Sequence, residues 1–186
     1  MNFPAGLPVL VTPRLRLRPY GPADAGDVQR LAGAKAVADT TLLIPHPYPD
    51  GAAEAWISTH PAKWAAHEEL VLAITLPATG ELVGSIGLVL TATKAQAELG
   101  YWIGVPYWNR GFATEAVQEV LDFGFGTLEL TRIQAHHLAH NPASGRVMAK
   151  AGLRREGFGA QTLLKDGRLH DVVFHGMSRA DLLAAD

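Results

Sequence analysis

The sequence predicts an α+β (mixed α/β) fold with a central, mostly antiparallel sheet, and three observations carry that reading. Three short apolar runs, 70–77, 82–90 and 97–105, follow one another with only turn residues between them, the pattern of an antiparallel meander. A strongly amphipathic stretch over 111–128 and a sharply bounded one over 141–152 then alternate with a further strand at 131–138. Finally, 153–179 reads as two strands joined at Asp166 and Gly167, a dipeptide suited to a tight hairpin turn.

Taken in order, "VTPRLRLRPY" alternates Leu15 and Leu17 with Arg14, Arg16 and Arg18, which predicts a half-buried edge strand. Residues 22–34 follow as a short helix with Asp24 in its first turn and Val28 and Leu31 on its apolar face. A proline-rich loop, "IPHPYPDG", leads to a second helix with Asp50 as its expected N-cap and Ala53, Trp56 and Ile57 on one face. Pro61 is expected to break or restart that helix. In the helix over 111–128, Ala113, Ala116, Val117, Val120, Leu121, Gly124 and Phe125 share one face, and Glu115, Gln118, Glu119 and Asp122 the other. The helix over 141–152 has marked ends: Asn141 as N-cap, Pro142 in the first helical position and Gly152 just past the last turn. The predicted order is β-α-α-β-β-β-α-β-α-β-β.

The 186 residues fit a single domain, 1–186, with its core over 8–180. With 48% hydrophobic and 18% charged residues and a net charge of -2, bulk electrostatics give no reason to expect a nucleic acid or a membrane as partner. The absence of cysteine excludes disulfides, thiolate-bound zinc and a cysteine nucleophile. No charged start runs into a long apolar stretch, and no apolar run approaches the ~20 residues of a membrane span. A cytoplasmic protein is the expectation.

The stretch "YWNRGFATEA" (107–116) places a polar residue, a cation and a glycine where the best helix begins. A helix N-terminus offers unpaired N–H groups and about half a positive charge, and so attracts anions. Gly111 lets the backbone approach a ligand, Ala113 keeps the next position small, and Arg110 and Thr114 add a charge and a hydroxyl donor. A phosphate suits such a turn. The stretch lacks the Lys-Ser/Thr of a P-loop and does not match G-x-G-x-x-G.

The run "AELGYWIGVPYWNRGFATEAVQEVLDFGFGTLELTRIQAHHLAHNPASGRVMAKAGL" resembles the GCN5-related N-acetyltransferase (GNAT) superfamily over its acetyl-CoA-binding half. With "TPRLRLRP" and "PHPY", the likeness extends over nearly the whole chain and is greatest to the ribosomal-protein-alanine N-acetyltransferase branch. The resemblance implies the acyl-CoA N-acyltransferase fold, with about four helices and a splayed pair of parallel strands, here 97–105 and 131–138. It implies acetyl-CoA as co-substrate, with no metal. Pantetheine would pair with main-chain groups of Ile103 and Val105, and the pyrophosphate would meet Asn109, Arg110, Gly111, Phe112, Ala113 and Thr114. Asn141 and Ser144 would lie along the pantetheine. Main-chain N–H groups near Val105 would polarise the thioester carbonyl.

An acceptor amine must lose a proton before or as it attacks that carbonyl. The resemblance places a carboxylate at Glu98, the first candidate base; His137, with His136 beside it, is the second, and strand parity lets at most one of the two face the cleft. Many superfamily members carry a tyrosine acid seven residues after the asparagine, where this chain has Met148; Ser144 is the remaining candidate for hydrogen bonding to the leaving sulfur. His46, Tyr48 and Trp56 are candidates to line the acceptor entrance. The acceptor would be a peptide or protein N-terminal amine, or a small amine of the antibiotic or polyamine kind. A non-catalytic acyl-CoA sensor keeps the same fold. "HHLAH", with His170 and His175, raises a metal site, but the segment reads as a strand and no HExxH is present. The protein is expected to be a monomer or homodimer.

Overall fold

In the computed structural model, which describes residues 3–183, the strands form one eight-stranded sheet in the order β1-β2-β3-β4-β5-β6-β8-β7. The strands are β1 (Leu10–Val11), β2 (Arg16–Arg18), β3 (Glu69–Thr75), β4 (Leu82–Leu90), β5 (Gln96–Ile103), β6 (Arg132–Leu138), β7 (Arg154–Lys165) and β8 (Arg168–Ser178). The helices are α1 (Ala25–Ala32), α2 (Lys35–Ala38), α3 (Ala52–Ala65), α4 (Phe112–Asp122), α5 (Pro142–Lys150) and α6 (Arg179–Leu183). Every neighbouring pair of strands is antiparallel except β5 and β6.

The meander over 69–103 stands as expected, with near-continuous burial along β3 and β4 that marks the centre of the sheet. Leu15 and Leu17 are both fully buried, so the alternation with arginine does reflect one apolar face. The strand they flank is not the edge, however, because the two-residue β1 pairs outside it. Helices α1 and α3 pack on each other and on β3–β5, and α4 and α5 pack on each other and on β4–β7. The face that receives α4 is fixed by Gly124, where an added Cβ would lie 2.7 Å from Ile133 and 3.5 Å from Leu88.

Three expected helix features are corrected. The N-cap of α3 is Gly51, in the left-handed region at φ 76°, while the Asp50 carboxylate accepts a hydrogen bond from Gln29 Nε2 at 2.8 Å. Helix α3 also runs unbroken through Pro61. Burial of Ala53, Ile57, His60 and Trp64 along one face outweighs the single backbone bond that proline removes. The helix predicted over 111–128 changes pitch: residues Phe123–Thr127 form a π turn, with Leu128 N–H bonded to Phe123 O at 3.1 Å.

Candidate active site

The parallel pair β5–β6 is in register only from Gln96–Arg132 to Leu99–Ala135. Beyond that point β5 continues to Ile103 against β4, and β6 continues to Leu138 against β8. Each strand keeps its outer neighbour and loses its inner one, so main-chain groups of both face a widening gap. In a buried sheet such groups need partners, which makes the gap a natural place for an extended ligand to pair as an added strand. The Ile103 carbonyl already accepts the Trp108 indole N–H at 2.6 Å, which leaves it one lone pair for a second donor.

The gap leads to the start of α4. Between them, Val105–Tyr107 makes a 3₁₀ turn, and Asn109 (φ 61°) and Gly111 (φ 79°) both adopt left-handed backbone. Asparagine and glycine tolerate that conformation best, which is why the polar residue and the glycine stand there. The first intrahelical bond is Glu115 N–H to Gly111 O, so the N–H groups of Phe112, Ala113 and Thr114 have no acceptor within the helix. Asn109, Arg110 and Gly111 are exposed and Ala113 and Thr114 half-buried, whereas the Phe112 ring is buried.

Arg14, read from sequence only as part of an alternating strand, lies at the same turn. Its Nη1 donates to Arg110 O at 2.9 Å, its Nε and Nη2 meet Glu115 Oε2 at 2.6 and 2.5 Å, and its guanidinium stands over the Phe112 ring at 5.2 Å. An added Cβ at Gly111 would lie 3.3 Å from its Nη2. Arg110 lies over the Tyr107 ring at 5.6 Å. Burial raises the Glu115 carboxyl, but hydrogen bonds from Thr12 and Arg14 overcome it and hold the group below the usual carboxylate range. The turn thus carries two cations, one of them neutralised by Glu115, and a set of unpaired amides, a donor set that fits a pyrophosphate.

The two faces of β5 carry different chemistry. On one, Glu98 Oε1 lies 3.0 Å from His136 Nδ1. That hydrogen bond lowers the Glu98 carboxyl and outweighs the opposing effect of burial. A shallow pocket there is lined by Glu98, Gln134, His136, Glu156 and Phe174; Glu156 is paired with Arg132. His137 does not join them. It is buried, its Nδ1 lies 2.9 Å from Leu138 O, and its Nε2 fills the space over Gly145, where an added Cβ would come within 2.6 Å. On the other face, the Tyr101 hydroxyl lies 2.7 Å from Ser144 Oγ and 3.1 Å from Ser144 O. Asn141 caps α5 as expected, its Oδ1 accepting from Ser144 N–H at 3.2 Å, while its Nδ2 donates to Thr40 O at 3.2 Å. Met148 is buried.

Of the expected entrance residues, His46 and Tyr48 both adjoin Gly33, and Trp56 lies in an aromatic cluster. His46 is exposed, with Nδ1 2.9 Å from Gly33 O. Tyr48 is half-buried against Gly33, and Trp56 packs edge-on to Tyr20 and His60 at 5.2 and 4.5 Å. The loop between α2 and α3 is tied down by Lys165 Nζ, which donates to the carbonyls of Ala38, Thr41 and Ile44, and by His140 Nε2, 2.8 Å from Asp39 O. His170 adjoins His140, and His175 adjoins His137. Among the described residues no three His, Cys, Asp or Glu side chains gather as a metal-ligating group.

Comparison with known proteins gives this geometry its context. Residues 14–154 match the model of the acetyltransferase (GNAT) domain. The N-acetyltransferase YoaA of Bacillus subtilis is 39% identical over 95 residues, covering 50% of this chain and 54% of that protein. The ribosomal protein uS5-alanine N-acetyltransferase of Escherichia coli is 32% identical over 83 residues, covering 45% and 43%. The match thus spans about half the length of these curated relatives. Among solved structures, Mycobacterium smegmatis RimJ in complex with CoA-disulfide superposes with a TM-score of 0.83 at 25% identity, covering 100% of this chain and 97% of that one. A splayed parallel strand pair, an amide-lined turn at its mouth and a family match over 14–154 lead to one conclusion: the chain belongs to the GNAT acetyltransferase family.

Proposed function

We propose that this chain is a cytoplasmic acetyl-CoA-dependent N-acetyltransferase that acetylates a primary amine, most favourably the α-amine of a peptide or protein N-terminus. The observation that carries the proposal is the gap after the Leu99–Ala135 pair, which runs between the Glu98–His136 pair on one face and the Tyr101–Ser144 pair on the other toward the α4 turn. Curated relatives named N-acetyltransferases support it, as does the CoA held by the RimJ structure.

Acetyl-CoA supplies an activated acyl group. Residues 109–114 and Arg14 would hold its pyrophosphate, and main-chain groups of Ile103 and Val105 its pantetheine. Glu98 is negatively charged at neutral pH, so it can attract an incoming ammonium and accept its proton, with His136 able to pass that proton to solvent. Ser144 Oγ can donate a hydrogen bond toward the sulfur. An α-amine, with a pKa of about 8, is neutralised at pH 7.4 for about 1 kcal/mol, whereas a lysine at about 10.4 costs about 4 kcal/mol. A carboxylate of lowered pKa is a weak base, so the site suits the α-amine.

The test is thiol release from acetyl-CoA with the purified protein and a panel of peptides carrying free α-amines, set against blocked peptides with free lysine and against polyamines. Release with α-amine peptides is expected. Turnover only with polyamines would reassign the acceptor, and tight CoA binding without turnover on any amine would mark a sensor.

A further inference from the structure

On the Glu98 face of β5 the sequence leaves out one side chain. Glu98, Gly100 and Trp102 follow one another along that face. Pairing with β4 runs unshifted from Leu90–Ala97 to Gly84–Ile103, so Gly100 stands in regular strand, opposite Gly87. Glycine weakens a strand interior, and it is used there for a special backbone conformation, a crowded neighbour or the close approach of a ligand. Conformation does not explain Gly100, which is not among the glycines of positive φ. Crowding explains its neighbours. An added Cβ would lie 2.3 Å from Trp102 O at Gly84, 2.5 Å from Leu70 O at Gly87 and 2.8 Å from Leu31 Cδ2 at Gly104. At Gly100 it would meet nothing within 4 Å among the described residues, and the position is exposed.

The place of this missing side chain gives it a use. Gly100 is the first residue of β5 beyond Leu99–Ala135, the last pair in register with β6, so it stands where the gap opens. At the rise of an extended strand, Glu98 lies ~7 Å behind it and the half-buried Trp102 ~7 Å ahead. The bare backbone at Gly100 is therefore a clearing between a carboxylate and an indole. An amine held by the Glu98 carboxylate while it attacks a thioester in the gap has to carry its own carbon substituents over that clearing.

We propose that Gly100 is a specificity-determining residue: its missing side chain makes the floor on which the first residue of an acceptor peptide lies, with the α-amine at Glu98 and the first side chain against the bare β5 backbone. The inference rests on the α-amine reading above. The carbon next to an α-amine bears both a side chain and a carbonyl, whereas the carbon next to a lysine ε-amine or a terminal polyamine nitrogen bears one chain only. Room beside the attacking nitrogen is thus what an α-amine requires and a linear amine does not.

The test compares the wild type with Gly100→Ala by thermal melting, by calorimetry with acetyl-CoA, and by thiol release with peptides that differ only in a first residue of glycine, alanine or serine. The variant is expected to melt no lower than the wild type, because alanine costs less than glycine in a strand interior, and to keep the acetyl-CoA dissociation constant. Its kcat/KM should fall by about tenfold or more for the alanine-first and serine-first peptides, the worth of one methyl group in a fitted site, and by distinctly less for the glycine-first peptide. The loss should lie in the acceptor KM. An equal fall for all three peptides overturns the inference, since it reports a general disturbance. A weakened acetyl-CoA affinity overturns it by assigning the room to the cofactor, and a lowered melting temperature by assigning it to the fold. Wild-type kinetics in the variant overturn it while leaving the α-amine reading in place. Absence of turnover by the wild type with every peptide overturns that reading and the inference with it, so the two failures are distinguishable.

Discussion

At Glu98 the local chemistry decides what the residue can do. The neighbouring His136 holds its carboxyl below the ordinary range against the effect of burial, so the group is charged well below neutral pH. Glu98→Gln keeps the shape and one hydrogen-bond acceptor but removes the negative charge and the basic oxygen. It is expected to lower turnover by about a hundredfold, a typical contribution of general base catalysis, with acetyl-CoA affinity within about twofold of the wild type. Its acid limb in a pH–rate profile should vanish; an unchanged limb would remove Glu98 from the proton path. His136→Phe is expected to return the Glu98 carboxyl toward its ordinary value and move the same limb to higher pH. The sequence alone left two adjacent histidines as candidates for the second role, because strand parity says that they face opposite ways but not which way either faces. The answer depends on the parallel partner: the register Glu98–Gln134 brings the one residue beyond Gln134 on that face, His136, to the carboxylate.

Among the elements, the α4 turn was the most legible in sequence, because its requirements are local. A left-handed residue at a helix start selects glycine, and the amphipathic run behind it fixes where the helix lies. Gly111→Val forces a β-branched residue to φ 79° and places a side chain against Arg14. It is expected to raise the acetyl-CoA dissociation constant at least about tenfold, measured by calorimetry, at a stability cost of about 1–3 kcal/mol. What was not legible is non-local: Arg14 reaches Glu115 across 101 positions, and Lys165 reaches Ala38 across 127. Neither residue type signals its partner, since an arginine in an alternating strand and a lysine before an Asp-Gly turn read as solvated. Asp50 and Pro61 show the same limit from the other side, because a good cap residue and a helix breaker were both overruled by tertiary packing. Lys165→Met would remove the ammonium that ties together the carbonyls of Ala38, at the end of α2, and of Thr41 and Ile44 in the loop that follows. The variant is expected to raise the acceptor KM severalfold while leaving acetyl-CoA affinity near the wild type, because that loop carries His46 and Tyr48, the candidates for the acceptor entrance. An equal loss in both would show that the loop serves the cofactor site instead.

Across the whole molecule, the pH range of stability follows from what the core encloses. His60 is 2% exposed, neither ring nitrogen has a hydrogen-bond partner among the described residues, and its ring packs edge-on between Tyr20 and Trp56. Burial lowers it from 6.5 to about 4. The unfolded chain therefore takes up a proton below about pH 6.5 that the folded chain refuses until about pH 4, and stability is lost progressively as pH falls through that window. His175 is shifted the same way, first by burial and then by His137. The paired carboxylates act lower. Asp24 is raised by burial but held below its ordinary value by Arg18 and the Gly21 N–H, so its contribution is lost only as pH falls through that lowered value. Acid unfolding should accordingly show two stages, histidine first and carboxylate second. Between pH 7 and pH 5, His60 alone is expected to cost on the order of 2 kcal/mol at 1.36 kcal/mol per unit of differential shift. His60→Phe retains an aromatic ring in the Tyr20–Trp56 cluster and removes the titration. In urea unfolding at pH 7 and pH 5, the wild type should lose midpoint concentration between the two, and the variant should lose distinctly less. A variant that loses as much as the wild type would place the first stage elsewhere, with His175→Phe as the next position to examine by the same measurement.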